Sequence, residues 1–154
     1  LKGKIVVLEW YNKDCPFVRK HYDTGNMQSL QTWAKESGAV WLNINSSAKD
    51  KQGYLTAEEA IANTASEKSA ANHVLLDPTG SIGKLYGAKT TPHLFVIDKA
   101  GAVAYMGAID DKSSADKEDV PTARNYVKDA ITALNNGTVP EVQATSSYGC
   151  SVKY

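Results

Sequence analysis

Neither sign of charge is in excess in this chain of 154 residues: 17 lysines and arginines stand against 17 aspartates and glutamates. A balanced surface offers no basic field to hold nucleic acid or an anionic membrane, so neither is expected as a partner. Long apolar runs are also missing. The longest near either end is Ile5 to Leu8, far short of the roughly 20 residues a membrane-spanning helix needs. Cysteine is scarce, with Cys15 and Cys150 near opposite ends. Two thiols cannot frame a small disulfide-dense domain. No initiator methionine and no signal-type stretch is present at Leu1, so a mature or trimmed form is expected.

What is present suits one α/β domain, with 42% hydrophobic residues and a length that accommodates a core but not a second domain. Lys4 to Trp10 (KIVVLEW) is β-branched and nearly all apolar, which predicts a central strand buried on both faces. Cys15-Pro16 then opens a helix, because proline is favoured in the first helical turn. Phe17, Val18 and Tyr22, followed by Met27, Leu30, Trp33 and Ala34, recur at helical spacing up to a stop at Gly38, with Gly25 expected to kink or interrupt the run. Ala39 to Asn45 reads as a second strand, parallel to the first through a right-handed crossover.

Thr56 with Glu59 is a capping-box signature, predicting an alanine-rich helix to about Ala71 whose weak apolar face places it at the periphery. His73 to Asp77 is a short strand, and Ser81 to Tyr86 a short helix closed by Gly87. His93 to Asp98 and Ala102 to Gly107 form an antiparallel hairpin around Lys99-Ala100-Gly101. Pro121 is expected to open a final helix running to about Asn135, with Val127, Ala130, Ile131 and Leu134 as its apolar stripe. Residues 1–137 form the expected domain, and 138–154 an irregular tail bearing Cys150.

The segments GKIVVLEWYNKDCPFVRKHY and LLDPTGSIGKLYGAKTTPHLFVIDKAGAVAYMGAIDD, with the terminal GCSVKY, resemble the peroxiredoxin-like (AhpC/TSA-type) branch of the thioredoxin superfamily. The resemblance runs from about Lys2 to Leu134 and implies a thioredoxin-like fold, a central mixed β-sheet flanked by helices. Relatives of this kind carry an N-terminal hairpin before the Gly-Lys strand, and its absence here adds to the expectation of a trimmed chain.

Cys15 is the leading candidate for chemistry. A thiol at a helix N-terminus meets unpaired N–H groups and the positive end of the dipole, which favour the thiolate; Lys13 and Arg19 could add positive charge. The competing reading is a small buried hydrophobe. Laid on the thioredoxin Cys-x-x-Cys motif, Cys15 takes the first position, Pro16 and Phe17 the middle, and Val18 the second. No disulfide can form within that motif. The Pro-x-x-x-Thr-x-x-Cys pattern of peroxiredoxins fits neither register: counting back from Cys15 gives Asn12 and Leu8, and from Val18 gives Cys15 and Tyr11. Standard peroxide reduction is therefore not expected.

Thr91-Pro92 resembles the superfamily's cis-proline site, which implies that Thr91 offers its backbone to an extended substrate beside Cys15. Cys150 is then the candidate resolving thiol, with Pro16 and an exposed Tyr11 at the rim. Cys15, His21 and His93 would suit copper or zinc by ligand type, but six residues separate Cys15 from His21 and direct them apart on a helix, so no metal and no cofactor is expected. The reading is a thiol-disulfide oxidoreductase acting on protein disulfides or small thiols. The alternatives are a non-standard thiol peroxidase, a metal-binding module and a noncatalytic one. A bonded cysteine pair would fit an oxidising, extracytoplasmic compartment such as a periplasm.

Overall fold

In the computed structural model, which describes all residues from Leu1 to Tyr154, β1 (Val6–Trp10) runs through the centre of the molecule. Side chains alternate across a strand. Ile5, Val7 and Tyr11 therefore enter one core with Trp41, Leu94, Val96 and Tyr105, while Val6, Leu8 and Trp10 enter a smaller one with Leu42, Ile44 and Phe95. Such a strand must be covered on both sides.

α1 (Pro16–Asp23) and α2 (Asn26–Glu36) lead to β2 (Val40–Asn45), parallel to β1 with Val6 opposite Val40 and Trp10 opposite Ile44. Gly25 interrupts the expected helical run: at φ 75° it is left-handed and caps α2, a conformation glycine adopts without steric cost. α3 (Ala57–Ser66) starts with the complete capping box of Thr56 and Glu59. It stops about five residues before the expected Ala71, because Lys68 turns left-handed and Asn72 is drawn to the sheet, where its Oδ1 accepts the Trp41 N–H at 2.8 Å. Only Ala60 of α3 is buried, in keeping with a peripheral helix.

β3 (His73–Leu76), α4 (Ser81–Tyr86), β4 (Thr90–Thr91), β5 (His93–Ile97) and β6 (Val103–Gly107) follow. The main sheet has the order β3-β2-β1-β5-β6, with β5 antiparallel to both β1 and β6. Pro121 does not open the last helix. It lies inside a 3-10 segment, Lys117–Thr122, and α5 (Tyr126–Asn135) begins after Asn125, whose side chain accepts the Lys128 N–H at 2.9 Å. Asn125 supplies the cap that satisfies an otherwise unpaired amide.

The tail is ordered along its length. Thr145 donates its N–H to Met106 O, and its hydroxyl accepts the Ala108 N–H at 2.9 Å. Gly107, at φ 143°, leaves the room that Thr145 takes up. Beyond it, β7 (Cys150–Ser151) pairs antiparallel with β4, Thr91 opposite Cys150. Tyr154 then donates its hydroxyl to Ala88 O at 2.7 Å. The tail thus crosses from the β6 edge to α4, past the start of α1.

Candidate redox site

Cys15 caps α1, with extended backbone and Pro16 in the first turn. It is fully buried. The Thr91-Pro92 peptide bond is cis, and the Thr91 carbonyl lies 3.1 Å from the Cys15 sulfur, accepting its proton when the thiol is neutral. Cys150 reaches the same point from β7, and its Sγ is 2.6 Å from that of Cys15. That is nearer a bond of about 2.05 Å than ordinary contact between sulfurs. Both thiols are free, although 135 positions separate them in the chain.

The two sulfurs differ electrostatically. Burial alone pushes the Cys15 thiol up, but the adjoining Cys150 thiol, the nearby Thr91 side chain and the Val18 and Cys150 N–H groups outweigh it and hold Cys15 below the ordinary thiol value. Burial, then the adjoining Cys15, pushes Cys150 up to about 11. Of the two thiols Cys15 is therefore the one that gives up its proton more readily, and Cys150 the one that keeps it. The buried Thr91 hydroxyl has no partner of ordinary hydrogen-bond geometry, which leaves it free to turn toward the sulfur.

The positive charges expected beside Cys15 are engaged elsewhere. Lys13 pairs with Asp14 at 2.8 Å, and Arg19 with Glu67 and Asp23. Donor groups rather than cations stabilise the thiolate. Tyr11 is also not an exposed rim. It is 4% exposed, its hydroxyl donating to Glu67 at 2.6 Å and accepting from Asn63 at 2.7 Å, because the strand end turns inward beneath α3. Pro16 is exposed next to Cys15, and Val18 is fully buried in the larger core.

Both candidate histidines are buried and hydrogen-bonded. His21 Nδ1 meets Asn26 at 2.9 Å and Nε2 meets the Tyr148 hydroxyl at 3.1 Å; His93 Nδ1 accepts the Lys89 N–H at 3.1 Å. Burial, with Lys20 nearby, lowers His21 to about 3, and burial, with Lys89 nearby, lowers His93 to about 4. No three His, Cys, Asp or Glu side chains converge on a point that could hold a metal ion.

Two features escape a reading of the sequence. Glu9 is fully buried in β1 and accepts hydrogen bonds from Tyr22 at 2.9 Å, Trp41 at 2.9 Å and Gln31 at 3.4 Å. Burial outweighs these bonds and raises its carboxyl to about 7. The available signal was a lone acid in an otherwise apolar strand. The other is Tyr148, whose hydroxyl donates to Asp110 at 2.7 Å; nothing in an irregular tail marks it.

The sequence from residue 1 to 127 matches the family model described as Redoxin. No curated protein compared with the chain matches it. Among solved structures, a hypothetical protein from Sinorhizobium meliloti aligns with a TM-score of 0.81 and 22% identity, covering 99% of this chain and 81% of that one. An uncharacterized conserved protein from Geobacillus kaustophilus aligns with 0.81 and 24% identity, over 99% and 78%. A protein named as the thiol:disulfide interchange protein DsbE of Chlorobium tepidum aligns with 0.51 and 26% identity, over 68% and 67%. The first two establish the fold over its full length, tail included. With the cis-proline, the helix-capping thiol and the mixed sheet in place, the chain belongs to the Redoxin family, in the peroxiredoxin-like branch of the thioredoxin superfamily.

Proposed function

We propose that the protein is a thiol-disulfide oxidoreductase in which Cys15 is the nucleophile and Cys150, carried by the tail, is the resolving thiol. The observation that carries this reading is the 2.6 Å approach of the two sulfurs, with the thiolate favoured on Cys15 and the proton on Cys150. The Cys15 thiolate attacks one sulfur of a substrate disulfide. The substrate S–S bond breaks, and its other half leaves as a thiolate that takes up a proton. The Cys150 thiol then loses its proton and attacks the Cys15 sulfur, releasing the bound half of the substrate and closing a Cys15–Cys150 disulfide. Two electrons pass from protein to substrate, and a thiol donor returns them. The cycle uses no cofactor. The interchange activity in the name of the Chlorobium tepidum protein points the same way.

Peroxide is a poorer substrate on this geometry. Asn12 stands three residues before Cys15, where the peroxidase pattern has its hydroxyl, and its side chain is occupied by the Asp14 N–H at 2.9 Å and by Gln52 at 3.2 Å. Without a group to position the peroxide oxygens, orientation contributes little to that reaction. The test compares second-order rates of the reduced protein with oxidised glutathione and with hydrogen peroxide. Disulfide exchange is expected to be the faster, to vanish in Cys15→Ser, and to stop at a mixed disulfide in Cys150→Ser. Faster Cys15-dependent peroxide consumption would make the protein a peroxidase instead.

A further inference from the structure

The tail lies on the redox site as an extended peptide would, and the protein reads three successive positions of it. Cys150 pairs with Thr91 along the β4 edge and delivers its sulfur to Cys15. Before it, Gly149 lies directly on the Thr91 backbone: a Cβ at this position would collide with the Thr91 carbonyl, and its φ of 143° disfavours any L side chain. Before that, Tyr148 enters a socket. Its hydroxyl donates to Asp110 at 2.7 Å, meets His21 Nε2 at 3.1 Å and accepts from Lys20 at 3.4 Å. Because Asn26 donates to His21 Nδ1, the imidazole proton sits on Nε2 and points at the phenol.

The socket is built into the body of the protein. Lys20 and His21 are 0% exposed and Asp110 3%. Lys20 also donates to the Lys112 and Ser114 carbonyls at 2.8 and 2.9 Å, while its ammonium sits 5.2 Å from the Tyr148 ring centroid. Phe17 meets the ring edge-on at 5.9 Å. Donors and an acceptor thus converge on one phenolic oxygen, and an aromatic edge and a cation complete the cup for its ring. With the tail seated, Cys15 is 0% exposed. A substrate must therefore take the tail's place to reach the sulfur.

We propose that this groove is a recognition site for an extended Tyr-Gly-Cys segment: the tail occupies it as an intramolecular substrate, and external clients are peptide disulfides with tyrosine two residues before the reacting cysteine and glycine between. This rests on the redox reading of Cys15 given above and names the class of disulfide it acts on. The client strand pairs with Thr91, its tyrosine fills the socket, and its sulfur meets the Cys15 thiolate. A Cys15–client bond forms as the client disulfide breaks and its other half leaves as a thiolate. The returning tail then displaces the client as Cys150 closes the internal disulfide.

The test uses full-length Cys150→Ser, which keeps the tail and retains the mixed disulfide. Its probes are the nonapeptide Ser-Ser-Tyr-Gly-Cys-Ser-Val-Lys-Tyr, bonded to glutathione, and two analogues with alanine in place of the tyrosine or of the glycine. Mass spectrometry follows the peptide adduct on Cys15 at low peptide concentration. The parent peptide is expected to react at least tenfold faster than either analogue. Rates within twofold of one another would overturn the recognition proposal while leaving the redox reading intact. No reaction with any probe, oxidised glutathione included, would overturn the redox reading and this proposal with it.

Discussion

Replacing Glu9 by glutamine should change how stability depends on pH. Glu9 is 0% exposed and its carboxyl is raised from 4.5 to about 7, first by burial and in small part by Glu67, against the opposing bonds from Trp41, Tyr22 and Gln31. A carboxyl whose folded pKa exceeds its unfolded one binds its proton more tightly in the native state. Its contribution to stability is full below about 4.5 and is lost as pH rises through about 7. At about 1.4 kcal/mol per pH unit the loss is at most about 3 kcal/mol. Glutamine keeps the shape and an acceptor for the three donors but has no proton to lose. Guanidinium unfolding of reduced wild type and Glu9→Gln, run side by side from pH 4.5 to 8, isolates this group, since every other titration is shared. The variant should gain on the wild type by up to about 3 kcal/mol across that range. A difference constant to within about 0.5 kcal/mol would show that burial does not raise the Glu9 carboxyl above its unfolded value.

Oxidation should stabilise the protein, since a Cys15–Cys150 bond closes a loop of 135 positions worth on the order of 5 kcal/mol in the chain-entropy model; unfolding with and without dithiothreitol measures it, and equal midpoints would contradict it. His93, lowered to about 4 by burial and then by Lys89, contributes stability that is full above about 6.5 and is lost as pH falls toward 4. In His93→Gln the fall in unfolding free energy over that window should shrink by about 1–3 kcal/mol, and an unchanged fall would refute it. Gly149→Ala should unseat the tail, because its Cβ meets the Thr91 carbonyl, and iodoacetamide should then alkylate Cys15 at least tenfold faster; an unchanged rate would mean that the tail does not shield the thiol. In the wild type, the alkylation profile of Cys15 should have its midpoint below the ordinary thiol value near 8.5, and a midpoint at or above that value would contradict a stabilised thiolate.

Much of the architecture was legible in the sequence because single-residue signals and periodicity agreed there. The run from Lys4 to Trp10 could only be a central strand, Gly25 and Gly87 sit at the helix ends they imply, and Thr56 with Glu59 starts α3. The errors fall where tertiary demands overrode local propensity. Pro121 satisfied the rule for a first helical turn but was taken up by a 3-10 segment, and the Asn125 cap set the real start of α5. α3 stopped early because Asn72 was needed at the sheet. At the site, Cys15 and Thr91-Pro92 were visible through family resemblance. Tyr11 was misread because α3 covers it, and Arg19 because Glu67, 48 residues away, draws its guanidinium off. Tyr148 could not have been found: its socket joins α1 to a loop about 90 residues later in the chain, and no periodicity encodes such a meeting.

The most direct test of the account is disulfide mapping of the monomer after titration with oxidised glutathione. Both thiols should disappear together, and proteolysis should yield one cross-linked species joining the peptide of Cys15 to the peptide of Cys150. Cys150→Ser should instead hold glutathione on Cys15. An oxidised monomer that still titrates two free thiols, or one in which Cys15 is recovered as sulfinic acid with Cys150 untouched, would contradict a Cys15–Cys150 redox pair.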